Sequence, residues 1–561
     1  MQDIRERLKQ SIKDLYGLDF EPEITSSPDN IDADYSSNAP LKLAKELHQP
    51  PMKIAEALNE SLNASISNPG FLNFNLDDKF LKNKIDNLSS DFDQEILIDK
   101  YKNKTIICEF SDPNPFKVLH VGHLYTSIVG DAISRLFEYA GANVIRANFG
   151  GDVGLHVAKT MYILKEKNID ELTIGDIANC YIEGTAAYEE NEEAKKSITE
   201  LNKEIYRINS EKSHDGHLAE LYWKGRELSY DYFRNFYDSI NVKFDKYYPE
   251  STVAELGLKT VKEQLENGVY EMSNGAVIFN GEKHGLHTRV FINKEGVPTY
   301  ESKDVGLIFT KWQDYHFDKS IIITGSEQKD YMAVVLKSIE QYAPELTKRT
   351  VHLTHGLVKL PGGVKMSSRK GNFLKAVDVL NLVKDELKNA YNSEDDTVSL
   401  AATKYAFLKY KMGGHIIFDP KESVKMTGNS GPYLLYSAVR AKKILGKDIE
   451  NIQQAKPSTD SEPSNDKQNT SQTYTLMPNE RNLVKKVLEY KSVLEEAITE
   501  LAPHKVANYL YELAQTFSRF YETCPVRGSD QEQARLKLTK IYLLTMTHGL
   551  NLLGIKIPEE M

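Results

Sequence analysis

Thr105-Ile106-Ile107-Cys108-Glu109-Phe110 is a short β-rich run, closed by the turn residues Ser111-Asp112-Pro113-Asn114-Pro115. A helical pattern from His120 to about Tyr139 follows, and then a second β-rich run from Asn143 to Asn148. Strand, helix and strand in this order complete a βαβ unit, the building block of a parallel sheet. Nucleotides bind at the carboxyl ends of such strands, which directs attention to residues 109–123.

The rest of the chain is arranged around this unit. Residues 1 to 98 alternate helical patterns (Ile4 to Tyr16, Pro40 to Leu47, Met52 to Leu62) with polar turns. They close on Pro69-Gly70-Phe71-Leu72-Asn73-Phe74, a strand after a tight turn, which predicts a small α+β module. Residues 156 to 285 are helical and charged, then mixed, as expected of an insertion between two halves of the sheet. Strands return at Lys319 to Thr324 and at Thr350 to Val358, with a helix from Gln328 to Tyr342 between them. From about Thr397 the pattern is helical almost throughout. Three domains are expected: an N-terminal α+β domain over 1–98, a doubly wound, Rossmann-type α/β catalytic core over 99–396 carrying the insertion 156–285, and an all-α domain over 397–561. Residues 454–472, rich in Ser, Asn, Asp, Thr, Gln and Pro, are too polar to bury a core and are expected to be a disordered loop.

Composition narrows the class. The chain has 561 residues, 40% of them apolar and 27% charged, with no apolar run long enough for a membrane span. Met1 to Arg7 opens an amphipathic helix rather than a secretory signal, so a cytoplasmic location is expected. Cys108, Cys180 and Cys524 lie far apart with no C-x-x-C pair, which argues against a disulfide framework or a cysteine-based zinc site. The net charge of −11 by itself argues against a nucleic-acid partner. Residues 346 to 447, however, carry an excess of Lys and Arg, a distribution that suits an acidic protein presenting one face to a polyanion.

Two segments carry chemistry. His120 and His123, at i and i+3, share one face of the opening turn of the helix. Gly122 between them leaves room for a base or ribose, and the helix N-terminus favours phosphate. Asn114 and Lys117 add an amide and a point charge on the same loop. A helix-start histidine pair standing alone is more often structural; the company of Asn114 and Lys117 argues for function. The second segment, Lys365-Met366-Ser367-Ser368-Arg369-Lys370-Gly371, lies in a loop made pliable by Gly362, Gly363 and Gly371, with cations and hydroxyls able to close over a triphosphate. Read alone it is a basic surface loop.

In this order the two segments resemble the paired signatures of class I aminoacyl-tRNA synthetases. The run Glu109-Phe110-Ser111-Asp112-Pro113-Asn114-Pro115-Phe116-Lys117-Val118-Leu119-His120-Val121-Gly122-His123-Leu124 is similar to the S-x-P-N-x-x-K-x-x-H-x-G-H-L run of arginyl-tRNA synthetases. The likeness extends over nearly the whole chain. It implies that ATP is held by Asn114, Lys117, His120, Gly122, His123, Met366 and Lys370. Catalysis would then fall to Lys117, His120, His123, Lys365, Ser367, Ser368 and Arg369, with Mg²⁺ accompanying ATP. Where the class I pattern K-M-S-K-S has its second lysine this chain has Ser368, and the resemblance assigns the missing charge to Lys117. An arginine pocket needs carboxylates for a guanidinium. Tyr300 and Asp304, at i and i+4, resemble the family's Y-x-x-x-D element; Glu109 matches its second acidic contact, Gln328 its substrate-holding glutamine, and Asn114 also falls near the amino acid. In the C-terminal part Tyr433, Tyr436, Tyr521 and Met561 match positions around anticodon bases, and the N-terminal module resembles a domain that contacts the tRNA corner. Where the family has G-D-x-G-x-Q, this chain ends Gly151-Asp152-Val153-Gly154-Leu155-His156, and His156 is open to a site role or a structural one.

The implied activity is arginine activation with ATP, dependent on bound tRNA, and transfer to the tRNA's terminal adenosine. The implied partners are arginine, ATP and tRNA, with no membrane, in a monomer. Competing readings are another class I specificity, opposed by Glu109 and Asp304; a catalytically silent tRNA-binding relative, opposed by the intact histidines and Lys117; and a simpler nucleotidyltransferase, which would need neither flanking domain.

Overall fold

The computed structural model describes residues 2–28, 31, 33–167, 172–361, 374–446 and 475–561. They form two compact units, one built from residues 1–96, 441–492 and 512–545, the other from 97–440, 493–511 and 546–561.

The first unit opens with helix Gln2–Tyr16 and a four-stranded antiparallel sheet in the order Thr25–Ser26, Tyr35–Ser37, Phe71–Phe74, Ser65–Ser67. Leu8, Ile12, Leu43, Ile54, Leu58 and Leu72 are buried between helices and sheet. Buried Asp34 receives the Arg481 guanidinium (Nε to Oδ1, 2.8 Å), and Lys485 lies 3.2 Å from the same carboxylate. Charge pairing of this kind groups the helix Pro478–Leu488 with the N-terminal module, whereas sequence patterning places all of 397–561 in one helical body. The expected disordered loop, 454–472, lies outside the described residues.

The second unit is built on five parallel strands: β1 (Thr105–Glu109), β2 (Asn143–Gly150), β3 (Lys246–Pro249), β4 (Lys319–Gly325) and β5 (Thr350–His355), in the order β5-β4-β1-β2-β3. The chain leaves β1 toward β2 on one side and returns to β4 on the other, so the strand order reverses at β1. A crevice opens there, outside the carboxyl ends of β1 and β4. Ile106, Ile107, Ile321, Ile322 and Ile323 are buried, as expected of strands covered on both faces.

Helix α1 (Val121–Tyr139) connects β1 to β2. Between β2 and β3 lie α2 (Leu155–Leu164), α3 (Ile174–Glu190), α4 (Glu192–Glu211) and α5 (His217–Ser239). They share a core of Val157, Met161, Ile177, Ile198, Ile205 and Tyr222. The expected insertion 156–285 is corrected here. Lys246–Pro249 pairs with β2 as an edge strand of the main sheet, and the helices before it pack around a core of their own. Lys246-Tyr247-Tyr248-Pro249, four residues closed by a proline and without alternation, gave no strand signal, since an edge strand needs little apolar pattern. The expected strand Thr350 to Val358 also breaks: β5 ends at His355, and Val358–Lys359 pairs with Ile416–Ile417 instead.

After β3 come α6 (Glu250–Glu266), a three-stranded antiparallel sheet (Glu271–Ser273, Ala276–Phe279, Arg289–Ile292), α7 (Tyr300–Tyr315) and, after β4, α8 (Lys329–Glu340). Helices α6 and α7 cross at backbone contact through two glycines. A Cβ on Gly257 would stand 1.9 Å from the Ser302 carbonyl oxygen, and one on Gly306 2.1 Å from that of Val253. This crossing sets the position of Tyr300 and Asp304.

Candidate active site

The crevice is a cavity of about 740 Å³ lined at one end by Asn114, His120, Gly122, His123 and His355 and at the other by Glu109, Asp112, Tyr300, Asp304, Gln328 and Tyr331. The turn leading into it holds Ser111 (φ 73°), Asp112 (51°) and Phe116 (65°) in the left-handed region, which non-glycine residues seldom adopt. Surrounding contacts hold this backbone in place: Asp112 Oδ1 accepts the Phe149 N–H (2.8 Å), and the Phe116 N–H donates to Ser229 Oγ (3.0 Å).

The two motif histidines cap the helix they begin. His120 Nδ1 accepts the Gly122 N–H (3.0 Å) and His123 Nδ1 accepts the His120 N–H (3.1 Å). The rings stack with centroids 3.8 Å apart. With both Nδ1 atoms accepting, the neutral rings carry their protons on Nε2. Burial, then His355 and Lys117, lowers His120 to about 4; burial, then His120 and Lys117, holds His123 well below the ordinary histidine range. At neutral pH both are therefore uncharged N–H donors beside a helix N-terminus, suited to phosphate oxygens as charge develops on them. His355, at the carboxyl end of β5, joins them in the lining, with its Nδ1–H donating to the Gly356 carbonyl (2.7 Å) and its ring edge-on to Tyr125 (5.0 Å). Its placement at a strand's carboxyl end was the only sequence signal for it.

Lys117 does not line the crevice. Its Nζ stands 4.7 Å over the ring of Tyr181 on α3. Lys365, Met366, Ser367, Ser368, Arg369 and Lys370 lie outside the described residues.

The other end is acidic. Glu109, expected as a free acidic contact, is instead ion-paired to Lys311 (2.6 Å), a residue of α7 with no exposed side-chain surface. Sequence reading missed Lys311 because an interior lysine on a mixed helix looks like a surface one. Asp112 and Asp304 form no ion pair among the described residues, and the cation that acts on both is Lys311, already paired to Glu109. Asp304 accepts a hydrogen bond from the Tyr331 hydroxyl, a second residue not found from sequence. Burial pushes the Asp304 carboxyl up to about 7 against the pull of the Tyr331 hydrogen bond, with Glu109 adding to the rise. Burial, then Glu109, holds Asp112 well above the usual carboxylate range. Two carboxyls held this way suit a planar, permanently charged cation with several N–H donors, which is what a guanidinium provides. Tyr300, one helical turn before Asp304, is 59% exposed at the mouth, and Gln328 lines the same end.

The remaining polar residues hold the floor. Asn114 Oδ1 accepts the Gly151 N–H (2.8 Å), and His156 Nε2–H donates to the Gly151 carbonyl (2.7 Å). His156 is buried, lies outside the lining and is held well below the ordinary histidine range by burial first and Lys117 second, so it enters the structure as a neutral ring bonded to the Gly151 backbone. Glu250 lines the cavity but is neutralised by buried Lys303, whose Nζ also donates to the Tyr206 hydroxyl (2.9 Å). Away from the crevice, Tyr436 is 42% exposed beside Arg440, and Tyr433 meets Tyr511 edge-on (5.8 Å). Tyr521 belongs to the first unit, and Tyr433, Tyr436 and Met561 to the second.

A nucleotide-type crevice at the strand reversal, lined by a capped His-x-Gly-His turn and by a cluster of carboxyls, is the arrangement of a class I aminoacyl-tRNA synthetase, and the family comparison bears this class out. Family models match in three consecutive stretches: the arginyl tRNA synthetase N-terminal domain over residues 2–76, the catalytic domain of class I (R) tRNA synthetases over 86–415, and the DALR anticodon-binding domain over 434–561. The chain belongs to the arginyl-tRNA synthetases, the arginine–tRNA ligases of translation. The arginine–tRNA ligase of Crocosphaera subtropica is 29% identical over 100% of both chains, and that of Borrelia garinii subsp. bavariensis 30% identical over 93% of this chain and 92% of its own. The fold of Thermus thermophilus arginyl-tRNA synthetase superposes with a TM-score of 0.77 at 22% identity, covering 100% of each chain.

Proposed function

We infer that the acidic end of the crevice receives the guanidinium of arginine, with Asp304 as its principal partner, Glu109 held in place by Lys311, and Tyr300, Asn114 and Gln328 around the rest of the amino acid. The observation that supports this reading is geometric: three carboxyls, Glu109, Asp112 and Asp304, gather in the lining, and Lys311 is ion-paired to the first, leaving Asp112 and Asp304 without an ion pair among the described residues. An uncharged amino acid would leave them unpaired, so discrimination needs no editing site.

The arginine carboxylate attacks the α-phosphate of ATP, and pyrophosphate leaves. Positioning and the Nε2–H donors of His120 and His123 stabilise the charge that develops, Gly122 lies against the nucleoside, and Lys117 supplies the cation absent at Ser368. By the likeness to the family, Lys365, Met366, Ser367, Ser368, Arg369 and Lys370 take part in the same step. The terminal adenosine of tRNA then takes the arginyl group from the adenylate. ATP enters with Mg²⁺; among the described residues no cluster of three or more His, Cys, Asp or Glu side chains could hold a metal, and no step is assigned to the ion.

Activation depends on bound tRNA in this reading. The N-terminal domain, 1–98, contacts the tRNA corner; the core is 99–396; the helical part, 397–561, takes the anticodon, with Tyr433, Tyr436, Tyr521 and Met561 against its bases. The enzyme works as a cytoplasmic monomer; no described helix is long and apolar enough to cross a membrane. The test is pyrophosphate exchange with arginine and with the other amino acids, with and without tRNA accepting arginine. Exchange with arginine alone, and only with tRNA, is the expected result; exchange with another amino acid overturns the pocket assignment.

A further inference from the structure

Lys117 is the residue whose position departs furthest from its assigned role. Its backbone is fixed by its neighbour. Phe116 is fully buried in the α2–α5 core, stacked on Tyr222 (centroids 6.0 Å apart, planes 15°), and packs so closely on α5 that a Cβ on Gly225 would stand 2.5 Å from its ring. Only the flexible lysine stem is left to decide where the ammonium goes. It rests over Tyr181, while its charge still contributes to the lowered pKa of His120, His123 and His156, so it stands close to the crevice.

We propose that Tyr181 is a positioning residue that parks the Lys117 ammonium over its ring, away from the phosphates, until tRNA is bound, and so sets how strongly arginine activation depends on tRNA. The proposal rests on the reading of Lys117 as the catalytic cation. A cation over an aromatic face is held by quadrupole attraction of a size that shifts a two-position equilibrium by about 2- to 30-fold. Loss of the ring frees the ammonium to populate the crevice without help from tRNA.

The experiment is arginine-dependent pyrophosphate exchange by the full chain, with and without tRNA, for the parent, Tyr181→Leu, Tyr181→Phe and Lys117→Met. Tyr181→Leu is expected to raise the tRNA-free rate by about 2- to 30-fold and to narrow the gap between the two conditions. Tyr181→Phe, which keeps the ring, should retain the parent's ratio, and Lys117→Met should lose exchange in both conditions. An unchanged or lowered tRNA-free rate in Tyr181→Leu, with Lys117→Met inactive, overturns the positioning role and leaves the reading of Lys117 standing. Undiminished exchange by Lys117→Met removes that reading and the proposal with it. Equal exchange by the parent with and without tRNA overturns the proposal through its premise.

Discussion

Asp304 makes arginine binding a titration. In the empty pocket its carboxyl titrates near pH 7, because burial, with Glu109 behind it, disfavours the charge more than Tyr331 restores it. Guanidinium binding needs the carboxylate, so the competent fraction of enzyme falls as pH drops through 7. The apparent affinity then weakens by about 2-fold at pH 7 and about 11-fold at pH 6, against about 1.1-fold at pH 8. At pH 7 binding should also release about half a proton. Stability carries the opposite sign from that of an ordinary carboxylate. The folded, empty protein binds this proton more tightly than the unfolded chain, so the stability tied to it is full below the unfolded value near 4 and is lost as pH rises through about 7. Calorimetric titration of arginine between pH 6 and 8, in buffers of different ionisation enthalpy, measures affinity and proton release together. Asp304→Asn should bind arginine weakly, reduce the pH slope to what Asp112 leaves and, without arginine, melt higher than the parent at pH 8. A flat affinity of the parent between pH 6 and 8, or an unchanged slope in Asp304→Asn, would refute the argument.

Lys311→Met leaves Glu109 buried without its partner and should lower unfolding stability by about 3–5 kcal/mol in urea titration, with a raised arginine KM in whatever folds. Gly257→Ala places a methyl against the Ser302 carbonyl at the α6–α7 crossing, and should displace Tyr300 and Asp304, weakening arginine binding more than ATP binding in steady-state kinetics. Gly122→Ala sets a Cβ 2.8 Å from the His120 ring, disturbing the cap; kcat for pyrophosphate exchange should fall. His123→Ala removes one Nε2–H donor and should cost about 10²–10³ in kcat. The remaining activity should show no titration between pH 5 and 8 from His120, which is held at about 4.

The parallel core, the crevice at the end of β1 and the His-x-Gly-His turn were legible in the sequence, because each rests on local spacing, a 3.6-residue helical period and a strand followed by a turn, whereas Tyr300 and Asp304, which alone read as an ordinary helix pair, stood out only through the likeness to the family. The local patterns located which residues could reach a nucleotide. They did not reveal β3, whose place in the sheet depends on pairing with a strand almost a hundred residues earlier, nor the partition of the C-terminal helices, part of which packs with the N-terminal module through Asp34 and Arg481. Nor could they show that Glu109 is already neutralised from α7, that Tyr331 hydrogen-bonds Asp304, or that Lys117 rests on Tyr181. Local periodicity is written in neighbouring residues and determined the elements and the chemistry available. The state of each charge depends on burial and on partners brought from distant parts of the chain, and only the tertiary structure decided it.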